Sequence, residues 1–111
     1  MEEKNLLELV PQRISQWETR ENNRIDILVP KLRGKWLGKW LLPKMKKPHY
    51  KVRLDDIGSF VWQQCDGEKT IRQIALCLRE NFGEKAEPVF ERVCIFFKKL
   101  EKGCFINYIN L

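Results

Sequence analysis

Histidine is nearly absent from this 111-residue chain, with His49 alone, and the four cysteines (Cys65, Cys77, Cys94, Cys104) form no C-x-x-C pair. No zinc template fits such a set, and buried thiols acting as small hydrophobes are the expected role. No apolar run approaches the ~20 residues needed to span a bilayer. The longest early run, Leu6 to Val10, is broken by Glu8 and follows Glu2 and Glu3 rather than a basic region, which argues against a signal peptide. A glycine-rich phosphate loop, a nucleophile elbow and clustered metal ligands are all missing. Asp55 and Asp56 stand together, but adjacent aspartates at a helix start act as cap and dipole partners rather than as an acid–base pair. The sequence therefore reads as a cytoplasmic, non-catalytic domain without a cofactor.

Anions are also missing from one stretch. Residues 31–53 carry nine cations and no acidic residue, whereas the net charge of the whole chain is +6. A basic field this concentrated attracts an acidic peptide, a polyanion or an anionic membrane, or it only aids solubility. The twelve aromatic residues supply core material for a single domain.

The expected elements follow from period and punctuation. Leu6, Leu7, Leu9 and Val10 before Pro11 suggest a short docking helix. Trp17–Asn22 and Arg24–Val29 read as strands joined at Asn22-Asn23, a pair that tolerates the positive φ of a tight turn. Within Gly34–Pro43, Trp36/Trp40 and Leu37/Leu41 are spaced for a helical face that Gly38 weakens. That segment reads as an interfacial helix or as a short cover over the sheet. Tyr50-Lys51-Val52-Arg53-Leu54 alternates as a third strand.

Three helices then follow. The first is capped by Asp55 or Asp56, with Ile57, Phe60, Val61 and Gln64 on one face, and is stopped at Asp66-Gly67. The second opens with the capping box Thr70–Gln73 and buries Ile71, Ile74, Ala75 and Leu78 before Phe82-Gly83. The third starts near Pro88, with Val89, Val93, Phe96, Phe97 and Leu100 as its core stripe, and ends at Gly103. Phe105–Ile109 can add a terminal strand. The fold class expected is α+β and winged-helix-like: a small N-terminal three-stranded antiparallel sheet followed by a three-helix bundle.

The residues Leu54-Asp55-Asp56-Ile57-Gly58-Ser59-Phe60-Val61-Trp62, then Cys65-Asp66-Gly67, Thr70, Ile74, Leu78, Phe82-Gly83 and Phe96-x-x-x-Leu100, resemble the PqqD family, the peptide chaperones of pyrroloquinoline quinone biosynthesis. The resemblance covers about residues 50–106 well and 17–30 loosely. It divides the chain into an N-terminal extension (1–16) and a PqqD-like winged-helix domain (17–111), with a basic, Trp-rich insert at 31–47. It implies a partner that holds the leader segment of a ribosomally made precursor peptide and presents it to a modifying enzyme, often a radical SAM enzyme.

In that family the leader adds as a strand beside the third strand and is covered by the third helix, a mode that needs an unpaired edge and side-chain pockets. Carried onto this chain, the edge is Tyr50, Lys51, Val52 and Arg53. The groove wall is Phe90, Cys94, Phe97 and Lys98, with Lys51 and Arg53 placed to meet acidic leader side chains. The extension and the insert exceed the minimal domain. Contact with a partner enzyme, gating of the groove and self-association all remain open for the insert, and an exposed third-strand edge leaves homodimers open as well.

Two rival readings stand beside this one. A winged-helix DNA binder would use the basic 31–53 segment, but Glu84, Glu87 and Glu91 at the start of the third helix would meet phosphates with the wrong sign. A peripheral membrane protein would rest on the Trp-Leu/Lys connector.

Overall fold

The computed structural model describes residues 6–30 and 49–111. The helical face expected within Gly34–Pro43 lies outside them. The elements in chain order are β1 (Pro11–Arg13), β2 (Gln16–Thr19), a 3-10 turn (Glu21–Asn23), β3 (Ile25–Pro30) and β4 (His49–Arg53). There follow α1 (Asp56–Gln63), α2 (Ile71–Phe82), a 3-10 turn (Gly83–Ala86), α3 (Val89–Lys102) and β5 (Ile106–Tyr108). The class is α+β: an antiparallel three-stranded sheet in the order β2-β3-β4, three helices, and a separate pair β1-β5.

The β2–β3 hairpin turns where the sequence placed it, with both Asn22 and Asn23 at φ 61°. Asparagine reaches that left-handed region more readily than most residues, because its short amide can bond locally. The flanking strand is shorter than expected: β2 stops at Thr19, and Glu21–Asn23 close into the 3-10 turn. In β3, Ile25, Ile27 and Val29 are buried on one face. They register with Leu54, Val52 and Tyr50 across the β3–β4 ladder.

The strand β1 is the main departure. Pro11–Arg13 pair antiparallel with Tyr108–Ile106, so part of the expected extension is built into the same fold as the C-terminus. The Asn110 side chain fixes this crossing by accepting from Val10 N (2.8 Å) and donating to Glu8 O (3.0 Å). The backbone carbonyls of Leu9 and Leu7 accept from the amides of Ile71 and Arg72, satisfying donors in the first turn of α2.

Each helix has a chemical start. The Asp55 carboxylate accepts from Gly58 N at 2.7 Å and caps α1. Thr70 and Gln73 form the full capping box of α2. The face of α1 differs from the expected one: Gly58, Ser59, Val61 and Trp62 are buried, whereas Ile57 and Phe60 are only half-buried. Trp62, fully buried, is the largest core side chain, and placing it inside rotates the helix away from the Ile57/Phe60 face. Trp17 meets it edge-on at 6.1 Å, and the Arg13 guanidinium stacks on Trp17 at 4.6 Å while donating to Gln63 O.

A buried polar knot joins sheet to helix. Asp26, 1% exposed, pairs with Arg20, which also donates to Leu54 O at 2.9 Å. Ser59 Oγ accepts from Ile25 N at 2.8 Å and donates to the same Leu54 carbonyl. Leu54 N in turn donates to Ile25 O. The passage from β4 into α1 is thus pinned from three sides. Breaking a buried pair by removing one partner typically costs about 3–5 kcal/mol, so this junction has little freedom to drift.

Candidate functional site

β4 is an edge strand. It pairs with β3 on one side, and its other edge has no strand partner among the described residues. Tyr50, Lys51 and Arg53 are exposed and Val52 is half-buried. The four residues named as the edge are therefore brought together there.

The hydrogen-bond phase of this edge follows from the β3–β4 ladder. Leu54 N donates to Ile25 O, and in an antiparallel ladder bonded and non-bonded pairs alternate. Ile27–Val52 and Val29–Tyr50 are then bonded pairs, and the N–H and C=O of Lys51 and Arg53 point to the open side. The two residues offering main-chain groups are the two cations of the strand. Their side chains share the face opposite the core. Lys51 forms an ion pair with Glu18 across β3, whereas Arg53 has no ion-pair partner among the described residues.

Two residues beyond β4, Asp55 begins the rim of an apolar pocket of about 230 Å³ between α1 and α3. Val61, Leu78 and Val93 form its buried floor, Ile57, Ile95 and Phe96 its walls, and Arg92 and Lys99 its charged rim. Ile95 is 55% exposed, a large apolar side chain with no part in the core. Gly58 allows the close approach that shapes this wall: a Cβ there would stand 3.4 Å from both Phe96 Cε1 and Leu54 Cβ. The volume falls below the roughly 300–1,000 Å³ of small-molecule sites and suits an apolar side chain.

The wall residues named from the sequence sit elsewhere. Phe97 and Cys94 are 0% and 2% exposed and belong to the core. Phe90 lies under the Arg79 guanidinium of α2 at 5.2 Å, and Lys98 is exposed. At 3.6 residues per turn, Phe90, Cys94 and Lys98 occupy the flank of α3 about half a turn from Arg92, Ile95, Phe96 and Lys99. The physical reason is that Cys94, not Phe96, completes the buried stripe with Val89, Val93, Phe97 and Leu100. That choice rolls Phe96 out toward α1 and the pocket. The clue in the sequence was Ile95, an apolar residue that fits no core period.

The groups whose pKa is shifted lie outside this pocket. Burial pushes the Cys65 thiol up to about 12, so it stays a neutral thiol. The lowered carboxylates, Asp56 beside Arg24, Asp66 beside Lys69 and Glu87 beside Arg79, are ion-paired surface groups. Among the described residues no group of three His, Cys, Asp or Glu could hold a metal ion, and no helix is long and apolar enough to cross a membrane.

The family model for coenzyme PQQ synthesis protein D (PqqD) matches residues 44–106, more than half of the chain. The chain belongs to the PqqD family. The matched segment holds β4, all three helices and the pocket between α1 and α3, whereas β1, β2 and β3 precede it. No curated protein and no solved structure matches the chain.

Proposed function

We propose that this PqqD-family protein is a peptide chaperone: it binds the leader segment of a ribosomally made precursor peptide and presents it to a modifying enzyme, such as a radical SAM enzyme. Catalysis belongs to that partner. The observation that carries this reading is an open strand edge that runs directly into an apolar pocket. An added strand gains main-chain hydrogen bonds from Lys51 and Arg53, and one of its apolar side chains enters between Ile57, Ile95 and Phe96. Affinity then comes from the backbone and selectivity from the pocket, the usual division in strand addition.

The test removes one outward donor without touching the β3 ladder. Proline is tolerated on an edge strand when its missing N–H faces outward. Arg53→Pro therefore leaves the fold in place and lowers the affinity for a leader peptide encoded beside this protein, read by calorimetric titration. Val52→Pro, which removes an inward ladder donor, destabilises the chain and serves as the contrast. Unchanged peptide affinity in a folded Arg53→Pro chain would sink strand addition at β4.

A further inference from the structure

We infer that the β4 edge selects a strand in which acidic residues alternate with apolar ones, and that the same charges keep a second copy of this chain from pairing there. The inference rests on the strand-addition reading and adds a sequence requirement to it.

Lys51 and Arg53 carry both the outward main-chain groups and the cations. In a further antiparallel strand each becomes a hydrogen-bonded pair with the residue directly opposite, whose side chain lies on the same face. Opposite charge at those two positions is favourable, and like charge is unfavourable. Between them, the residue opposite Val52 turns to the inner face, where Ile27 and Val52 already sit, so it must be apolar. The required pattern is acidic, apolar, acidic. The two acidic positions are unequal: Lys51 is already engaged by Glu18, whereas Arg53 has no ion-pair partner among the described residues. The pocket adds the same preference, because Arg92 and Lys99 outnumber Asp55 on its rim.

Self-pairing fails by the same register. Two β4 strands related by a two-fold axis through Val52 satisfy each other's outward groups, but they set Lys51 of each copy opposite Arg53 of the other. Both pairs are like-charged. Edge lysine and arginine are a common guard against such pairing.

The test uses three nine-residue probe peptides: one alternating Glu with Val, one alternating Lys with Val, and one with the Glu and Val residues of the first sorted into two blocks. Amide exchange at Lys51 and Arg53 is read with each, together with the dissociation constant. The alternating Glu peptide slows both amides and binds about tenfold tighter than the block peptide, because only the alternating order meets both cations while facing its valines inward. The alternating Lys peptide gives no protection. In Arg53→Glu the preference between the Glu and Lys peptides narrows or inverts, and concentration-dependent dimers appear, since Lys51 now faces a carboxylate of the second copy.

Equal protection by the Lys peptide, equal affinity for the block peptide, or dimers of the parent chain that protect Lys51 and Arg53 would each overturn the inference while leaving strand addition standing. If no peptide slows these amides, strand addition at β4 fails, and the inference fails with it.

Discussion

Replacing Gly58 by alanine separates folding from binding at the pocket wall. The new methyl would stand 3.1 Å from Asp55 Oδ1 and 3.4 Å from both Leu54 Cβ and Phe96 Cε1. Two effects on stability oppose one another. Alanine in a helix interior is favoured over glycine by about 0.8–1 kcal/mol. Pushing the Asp55 carboxylate a few tenths of an ångström loosens its 2.7 Å bond to residue 58, and partial loss of such a cap costs about 0.5–1 kcal/mol. The net change is within about 0.5 kcal/mol, a shift in Tm of under about 4 °C. Binding has no such compensation. The methyl takes up room between Leu54 and Phe96, and an anchor side chain forced into the narrowed space meets an overpacking cost of about 1–2 kcal/mol. The dissociation constant for a leader peptide therefore rises about 5- to 30-fold. Thermal unfolding and calorimetric titration of the same preparation give both numbers. Unchanged affinity at unchanged Tm would show that the peptide does not enter this pocket, and a Tm loss of more than about 8 °C would show that the cap argument is wrong.

Other outcomes follow from burial and charge. Phe97→Ala costs about 3–5 kcal/mol in urea unfolding because the ring is fully buried, whereas Ile95→Ala stays within about 0.5 kcal/mol and weakens the peptide instead. Iodoacetamide at pH 8 labels the exposed Cys104 first and leaves the buried Cys65 and Cys94 unmodified in the native protein, a pattern that mass spectrometry resolves. Stability falls with acid in a defined window. Asp56, Asp66 and Glu87 have folded pKa values below their unfolded ones, so their contribution is complete above pH about 5 and is lost as pH drops through the folded values. Because Asp56 and Glu87 are exposed and Asp66 is half-exposed, 1 M salt should flatten much of that dependence in urea midpoints measured between pH 3 and 7.

Local chemistry was legible in the sequence wherever it was enough to decide the outcome. Asn22-Asn23, the Asp55 cap, the Thr70–Gln73 box and the alternation of Tyr50–Leu54 each carry their own physical cause within a few residues. Of the β1–β5 pair, the terminal strand was legible within Phe105–Ile109, but its partner was not, because Pro11–Arg13 lies at the opposite end of the chain and is three residues long with no alternation of its own. The rotation of α3 was missed for a subtler reason. Both Cys94 and Phe96 complete a plausible apolar stripe with Val89, Val93, Phe97 and Leu100, and only the partner helices decide which one goes inside. Cysteine won, and the phenylalanine became a pocket wall. A buried Trp62 decided the face of α1 in the same way, by packing that periodicity alone cannot rank.

The most direct test of the account is an amide chemical-shift map of the chain titrated with a leader peptide encoded beside it. Strand addition at β4 gives a continuous track of shifts from Lys51 and Arg53 through Ile57 to Ile95, Phe96 and Lys99, while Phe90 and Lys98 on the far flank of α3 stay unmoved. Shifts that instead cluster on Phe90 and Lys98, or that leave β4 untouched, would contradict it.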